Sequence, residues 1–110
     1  IACYPYPDHG GEAGPIPRFS LKQNYPNPFN TSTVIFYSIY ADRPTHATLK
    51  IYNILGQVVR TLADEPRSAG NYIVTWDGKD DQGREVASGI YFYQLKAAYS
   101  SKCKKMLLLK

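Results

Sequence analysis

This chain of 110 residues has few of the side chains on which most catalytic and metal sites depend. It contains two histidines, His9 and His46, and only two cysteines. Neither histidine stands in a context that indicates a nucleophile paired with a base, and the serines show no nucleophile-elbow pattern. Two cysteines without nearby histidine ligands do not indicate a zinc site. We therefore predict a non-enzymatic protein with no catalytic residues, no metal site and no cofactor.

The chain also lacks a long apolar run and a convincing helical period. No segment approaches the ~18 consecutive apolar residues that a transmembrane helix needs, so we predict that it does not span a membrane. The net charge is only +4, and the basic residues are scattered until they gather near the end. A nucleic-acid-binding protein would show a denser basic face, so nucleic acid is not an expected partner.

The first eighteen residues differ in composition from the remainder. They hold four of the eight prolines and three of the eight glycines, which is incompatible with a helix or a central strand. We predict an extended Pro/Gly-rich tail over residues 1–18 and a folded domain over 19–110. The tail is either a disordered linker or a docked segment held by Ile1, Tyr4 and Tyr6. Because the chain begins Ile1-Ala2-Cys3 without a leader, we expect a processed form or a fragment.

From Phe19 onward, apolar residues recur at every second position, which is the period of a β-strand. Turn signals rich in Gly, Pro, Asn and Asp separate the alternating segments. The pattern predicts an all-β, antiparallel β-sandwich of about seven short strands. The apolar run 106–109 suits a strand covered on both faces. The residues of the predicted core are Ile35, Tyr37, Leu49, Ile51, Val74, Trp76, Tyr91, Tyr93 and Leu95.

Four apolar residues fall in the opposite phase of these strands and should face outward. They are Phe36, Tyr40, Ile73 and Phe92. A free monomer would usually place polar side chains there. The pattern leaves two interpretations open: a contact surface for another molecule, or strands covered by the docked tail.

The turn region 77–83 superficially resembles a calcium loop, since three aspartates lie within it. However, Lys79 occupies a ligand position, and no glutamate stands where the bidentate ligand belongs. We therefore predict a hairpin turn, in which aspartates bond to the backbone and glycines adopt positive φ.

Five motifs in the domain follow one another in a distinctive order. They are Gln23-Asn24-Tyr25-Pro26-Asn27-Pro28-Phe29-Asn30, Ile51-Tyr52-Asn53-Ile54-Leu55-Gly56-Gln57, Trp76-Asp77-Gly78-Lys79-Asp80, Ala87-Ser88-Gly89-Ile90-Tyr91-Phe92-Tyr93 and Lys104-Lys105-Met106-Leu107-Leu108-Leu109-Lys110. This series resembles the C-terminal sorting domain (type A) of the type IX secretion system. That immunoglobulin-like module is also similar to a domain of the flagellar hook-capping protein. The resemblance extends from Phe19 to Lys110. In the first motif, two prolines predict a stiff corner that Tyr25 and Phe29 pin to the core.

The resemblance implies that the domain serves as an export address. In the family, the type IX translocon reads the domain, and a cell-surface sortase commonly cleaves it and attaches the cargo. A secreted protein, located outside the cell or at its surface, is the expected product. The family's terminal motif is the part most tied to recognition. It corresponds here to the sorting-signal residues Lys104, Lys105, Met106, Leu107, Leu108, Leu109 and Lys110.

Cys3 and Cys103 are individual features that the family pattern does not require. Export favours oxidation, but an intrachain bridge, an interchain bridge and two free thiols all remain open. The alternative function is a self-assembling subunit of an extracellular filament, in which the tail docks on a neighbouring copy. The residues predicted to contribute to such self-association are Tyr4, Tyr6, Phe36, Ile73 and Phe92. A carbohydrate-binding module is disfavoured, because the single Trp76 falls in the core phase.

Overall fold

A computed structural model describes residues 18–98 and 100–110, which form seven β-strands. The strands are β1 (Arg18–Leu21), β2 (Thr33–Tyr40), β3 (Thr45–Tyr52), β4 (Val58–Arg67), β5 (Gly70–Trp76), β6 (Gly89–Ala97) and β7 (Ser100–Leu108). The predictions for Cys3, Tyr4 and Tyr6 lie outside the described residues.

The strands form two sheets that pack face to face. A three-stranded sheet has the order β1-β2-β5, and a four-stranded sheet has the order β4-β3-β6-β7. Every pairing between neighbouring strands is antiparallel. This arrangement confirms the predicted all-β, immunoglobulin-like sandwich. Within the described ranges, no helix is long and apolar enough to cross a membrane.

The core forms where the inward-facing residues of the two sheets meet, as the period of two requires. Eight of the nine predicted core residues are buried, and Trp76 and Tyr93 are both 0% exposed. The ninth, Val74, packs against the core but is only partly buried. The reason is its position on β5, which is an edge strand with an open side.

The last strand differs from the prediction. Met106 and Leu108 are buried, but Leu107 is half-buried and Leu109 is 51% exposed. The apolar run therefore alternates instead of being covered on both faces. The physical reason is that the four-stranded sheet is one layer of a two-layer sandwich, so its outer face has no layer above it.

The 77–83 region forms turns stabilised by its aspartates. Asp80 accepts hydrogen bonds from the backbone N–H groups of Gln82 and Arg84, both at 2.9 Å. Asp81 accepts one from the N–H of Thr61 at 3.0 Å, which ties the turn to β4. Hydrogen bonding lowers the pKa of Asp80 chiefly through the Arg84 N–H. The aspartates thus have the backbone-bonding role that the sequence predicted.

Candidate functional site: the terminal strand and the loop that caps it

The seven residues of the predicted sorting signal occupy the second half of β7 and the two residues beyond it. Alternation divides them into two sets. Met106 and Leu108 point into the core and are 1% and 0% exposed. Lys105, Leu109 and Lys110 are exposed, and Lys104 and Leu107 are half-buried. In the folded domain, only the second set is accessible to another molecule.

The proline-rich loop of the first motif covers the free edge of this strand. The backbone N–H of Phe29 donates to Leu107 O at 3.0 Å, and the N–H of Leu109 donates to Phe29 O at 2.9 Å. The N–H of Leu107 donates to Asn27 Oδ1 at 3.0 Å, and Gln23 Nε2 donates to Lys105 O at 2.9 Å. An uncovered edge strand would expose these N–H and C=O groups to pairing with a strand of another molecule. The loop therefore protects the end of β7 against such edge-to-edge association. The first and last motifs thus form one structural unit.

A buried polar network holds the loop in place. Asn24 is 3% exposed, and its Nδ2 donates to Thr33 Oγ1 at 2.9 Å. Its backbone N–H donates to the hydroxyl of Tyr93 at 2.8 Å. That hydroxyl in turn donates to Lys22 O at 2.7 Å, and Thr33 Oγ1 donates to Pro26 O at 2.8 Å. Each buried polar group therefore has a partner, which is the condition for burying it at low cost.

The expectation for Tyr25 was wrong. Its side chain is 75% exposed, and the tyrosine takes part through its backbone, which exchanges hydrogen bonds of 3.0 and 2.9 Å with Val34. Asn24 points inward in its place, because the bridge between Tyr25 and Val34 sends consecutive side chains to opposite sides. Phe29 is buried as predicted, with its ring centroid 5.6 Å from that of Trp76.

An ion pair holds the end of the chain. Lys110 Nζ lies 3.0 Å from Glu85 Oε1, and the Lys110 N–H donates to Ser88 Oγ at 2.9 Å. The hydrogen bond from Lys110 lowers the pKa of Glu85, and the positive charge of Lys110 acts in the same direction. The fourth and fifth motifs therefore also meet at this end of the sandwich.

The residues predicted for self-association do not form one surface. Phe36 and Ile73 face each other across β2 and β5, and they are 40% and 68% exposed. Phe92 belongs to β6 of the other sheet, where it pairs with Tyr52 and is half-buried. Cys103 is half-buried on β7, opposite Gln94 of β6. Its pairing with Cys3 stays a prediction, because Cys3 lies outside the described residues.

Solved structures with the same fold come from Porphyromonas gingivalis. A crystal structure of dimeric latent PorU matches with a TM-score of 0.74 and 16% identity, covering 89% of this chain and 10% of the PorU chain. PorZ, which is described as an essential bacterial surface component of the type IX secretion system, matches with a TM-score of 0.58 and 20% identity. This match covers 80% of this chain and 11% of the PorZ chain. The chain thus spans only about a tenth of either protein.

No curated protein sequence shows significant similarity to this chain. A family model does match it: the FlgD Ig-like domain aligns with residues 30–102, which is more than half of the chain. The matched range includes β2 to β6 and the first three residues of β7. Nearly all of the capping loop (residues 23–30) and the whole terminal motif (residues 104–110) lie outside it. The two antiparallel sheets, the buried Trp76 and the alternating strands agree with this match. The chain therefore belongs to the FlgD Ig-like domain family.

Proposed function

We propose that this chain is a non-catalytic sorting and surface-anchoring domain, read by the type IX translocon and processed by its sortase. The observation that carries the proposal is the capped terminal strand. The terminal motif lies at one edge of the sandwich, and the first motif covers its backbone through Asn27 and Phe29. The fold shared with PorU and PorZ supports the same function.

The accessible half of the motif is the surface proposed for recognition. Leu107 pairs with Ile90 across β6 and β7, and Ile90 is 41% exposed. Together with Leu109 these residues form an apolar patch on the outer face, bordered by Lys105 and Lys110. A patch of this kind, apolar at the centre and charged at the rim, is typical of protein interfaces. The location that follows is the cell exterior or surface.

The test separates recognition from folding. A precursor that ends in this chain is expressed in a bacterium with a type IX secretion system, with the substitutions Lys105→Glu, Leu109→Ser and Lys110→Glu. Because Met106 and Leu108 stay in the core, the domain keeps its fold. We expect the precursor to accumulate in the periplasm, measured by cell fractionation and surface labelling.

The matched control carries Arg43→Glu, Ile73→Ser and Lys96→Glu, which make the same changes of charge and apolarity at exposed sites outside the motif and its contacts. This variant should reach the surface at the wild-type level. Normal surface display of the motif variant would exclude the sorting function. Equal loss of display in both variants would show that altered surface charge, and not the motif, blocks export.

A second candidate function is self-assembly into a filament. The favouring observation is the pair Phe36 and Ile73, which presents adjacent apolar side chains on the outer face of the three-stranded sheet. Tyr4 and Tyr6 of a neighbouring copy would contribute contacts to this face.

Light scattering tests the assembly. A filament predicts particles much larger than a monomer, whose size grows with protein concentration. It also predicts a loss of these particles in the variant Phe36→Ser with Ile73→Ser. A monomer at all concentrations would exclude this function and leave sorting unaffected.

A further inference from the structure

Positive charge collects along the side of the sandwich where β1 lies beside β7. Arg18 and Lys22 lie at the two ends of β1, and Lys102 and Lys104 lie on β7. We call these four residues the basic strip. Arg18, Lys22 and Lys102 are exposed, and Lys104 is half-buried. Arg18 and Lys22 lie on the outer face of β1, because Phe19 and Leu21 between them are buried. Lys102 and Lys104 lie on the side of β7 that faces β1, so the strip runs round the open edge of the sandwich.

Three contacts bring the two strands together. Lys102 Nζ lies 5.7 Å from the ring centroid of Phe19 on β1. Gln23, which follows β1, donates to Lys105 O. The Tyr93 hydroxyl donates to Lys22 O, and Tyr93 is the cross-strand partner of Lys104. The beginning of β1 therefore lies beside the beginning of β7, and the two strands run in the same direction.

The acidic residues lie elsewhere. In the ranges 18–98 and 100–110, every Asp and Glu except Asp42 contacts a basic side chain outside the strip, which is His46 for Asp64 and an arginine or lysine for the others. The acidic members of these pairs lie on β4 and in the segment between β5 and β6. None of the four cations of the strip forms an ion pair within the described part of the chain. The strip thus has positive charge that the domain does not neutralise.

From this arrangement we infer that the basic strip binds an acidic, extended protein segment of the machinery that reads the terminal strand. Lys102 and Lys104 are alternate residues on one side of a strand, so they stand about 7 Å apart. An extended peptide repeats its side chains at the same interval, so its carboxylates would match them. The inference rests on the proposed function, because the strip adjoins the terminal motif and shares Lys104 with it.

The basic strip also has a structural explanation that requires no binding partner. Lysines that point inward on an edge strand also prevent edge-to-edge pairing, and Lys102 and Lys104 have this placement. That alternative predicts aggregation when the charges are removed. It also predicts that substitution of Arg18 and Lys22 does not change the affinity of the chain for an acidic peptide.

The binding test uses the full chain and poly-L-glutamate as the probe, titrated at low and high salt. The variant Arg18→Gln with Lys22→Gln should weaken binding about tenfold, since two exposed charge contacts are lost. Its control, Lys79→Gln with Arg84→Gln, removes the same charges from exposed sites in the segment between β5 and β6. The control should change affinity less than about twofold, and Arg18→Lys should retain binding. Circular dichroism verifies that all variants are folded.

Three results would overturn the inference. Equal weakening by the strip variant and its control would show that net charge alone attracts the probe. Binding to phosphatidylglycerol vesicles without binding to poly-L-glutamate would make the ligand a membrane surface. Tighter probe binding in the variant Asp8→Asn with Glu12→Gln than in Asp64→Asn with Glu65→Gln, which loses the same charge on β4, would show that the chain's own first residues compete for the strip.

Measuring surface export of the strip variant and of the terminal-motif variant distinguishes failure of this inference from failure of the sorting function on which it rests. If the strip variant reaches the surface normally while the variant of the exposed terminal motif does not, the inference fails and the sorting function stands. If the motif variant is exported normally, the sorting function fails even where poly-L-glutamate still binds the strip. Loss of export in both variants, with an unaffected control, supports both.

Discussion

At the residue scale, the Tyr93 hydroxyl connects the core to the capping loop. It accepts from the Asn24 N–H and donates to Lys22 O, so one group holds the chain on both sides of Gln23. The ring is fully buried between the sheets. Burial raises the pKa of Tyr93 to about 12, because an ionised phenol would lose its hydration there.

This pKa predicts how stability depends on alkaline pH. Above about pH 10 the unfolded chain loses the Tyr93 proton while the folded chain keeps it, so the folded state binds more protons. The free energy of unfolding should fall by roughly 2 kcal/mol between pH 10 and 12 on account of this residue. Urea denaturation of the wild type and of Tyr93→Phe measures it. The variant should show a shallower decline, and identical slopes would contradict the prediction.

Trp76 contributes most of its stabilisation by filling volume. It is fully buried and contacts Phe29 and Tyr91, at centroid distances of 5.6 and 5.4 Å. Trp76→Ala should lower the free energy of unfolding by about 3–5 kcal/mol, because it leaves a large cavity. The exposed Ile73→Ala on the same strand should lower it by less than about 1 kcal/mol. A similar loss in both variants, seen in denaturant titrations, would contradict this assignment of the core.

At the scale of the elements, the loop and β7 behave as one unit because main-chain groups join them. Asn27 supplies the only side chain that accepts from the Leu107 N–H within the described residues. Asn27→Ala should speed exchange of the Leu107 amide about fivefold, since a hydrogen bond worth about 1 kcal/mol is lost. NMR hydrogen exchange measures the change.

Asn30→Ala is the control, because that side chain accepts only from the neighbouring Thr31 hydroxyl. It should leave the Leu107 amide unchanged. Unchanged exchange in Asn27→Ala as well would show that the main-chain bonds of Phe29 alone protect the strand.

At the scale of the whole molecule, the terminal motif is both a proposed signal and part of the core. Deleting residues 104–110 removes Met106 and Leu108, which are essentially fully buried. The loss of about 4–10 kcal/mol is comparable with the total stability of a small domain. We expect the truncated chain to lose its near-ultraviolet circular dichroism and cooperative melting, whereas removal of Lys110 alone should preserve both. A folded truncated chain would contradict the placement of β7 in the core.

The interpretation of any export experiment depends on this double role. A truncated precursor would stay in the periplasm either because the signal is missing or because the domain is unfolded. Substitutions confined to Lys105, Leu109 and Lys110 avoid the ambiguity, since these side chains lie outside the core and the contact that they remove is the surface ion pair of Lys110 with Glu85.

Local patterns of the chain were sufficient to predict the class of fold and most of the core. Alternation is a property of consecutive residues, so it placed Ile35, Leu49 and Trp76 correctly without knowledge of any partner strand. The order of the motifs led to the family for the same reason, since each motif is a turn or strand end with its own short-range chemistry.

Other features depended on which strands meet. The half-burial of Val74 follows from the edge position of β5, and the exposure of Leu109 follows from an outer face without a covering layer. Three further features depend on residues that are distant in sequence. They are the inward orientation of Asn24, the hydrogen bond between Asn27 and Leu107, and the basic strip. Such contacts depend on sheet order and strand register, which arise only when the two sheets pack. Periodicity therefore assigned each residue to a face, and tertiary packing decided which faces and edges were covered.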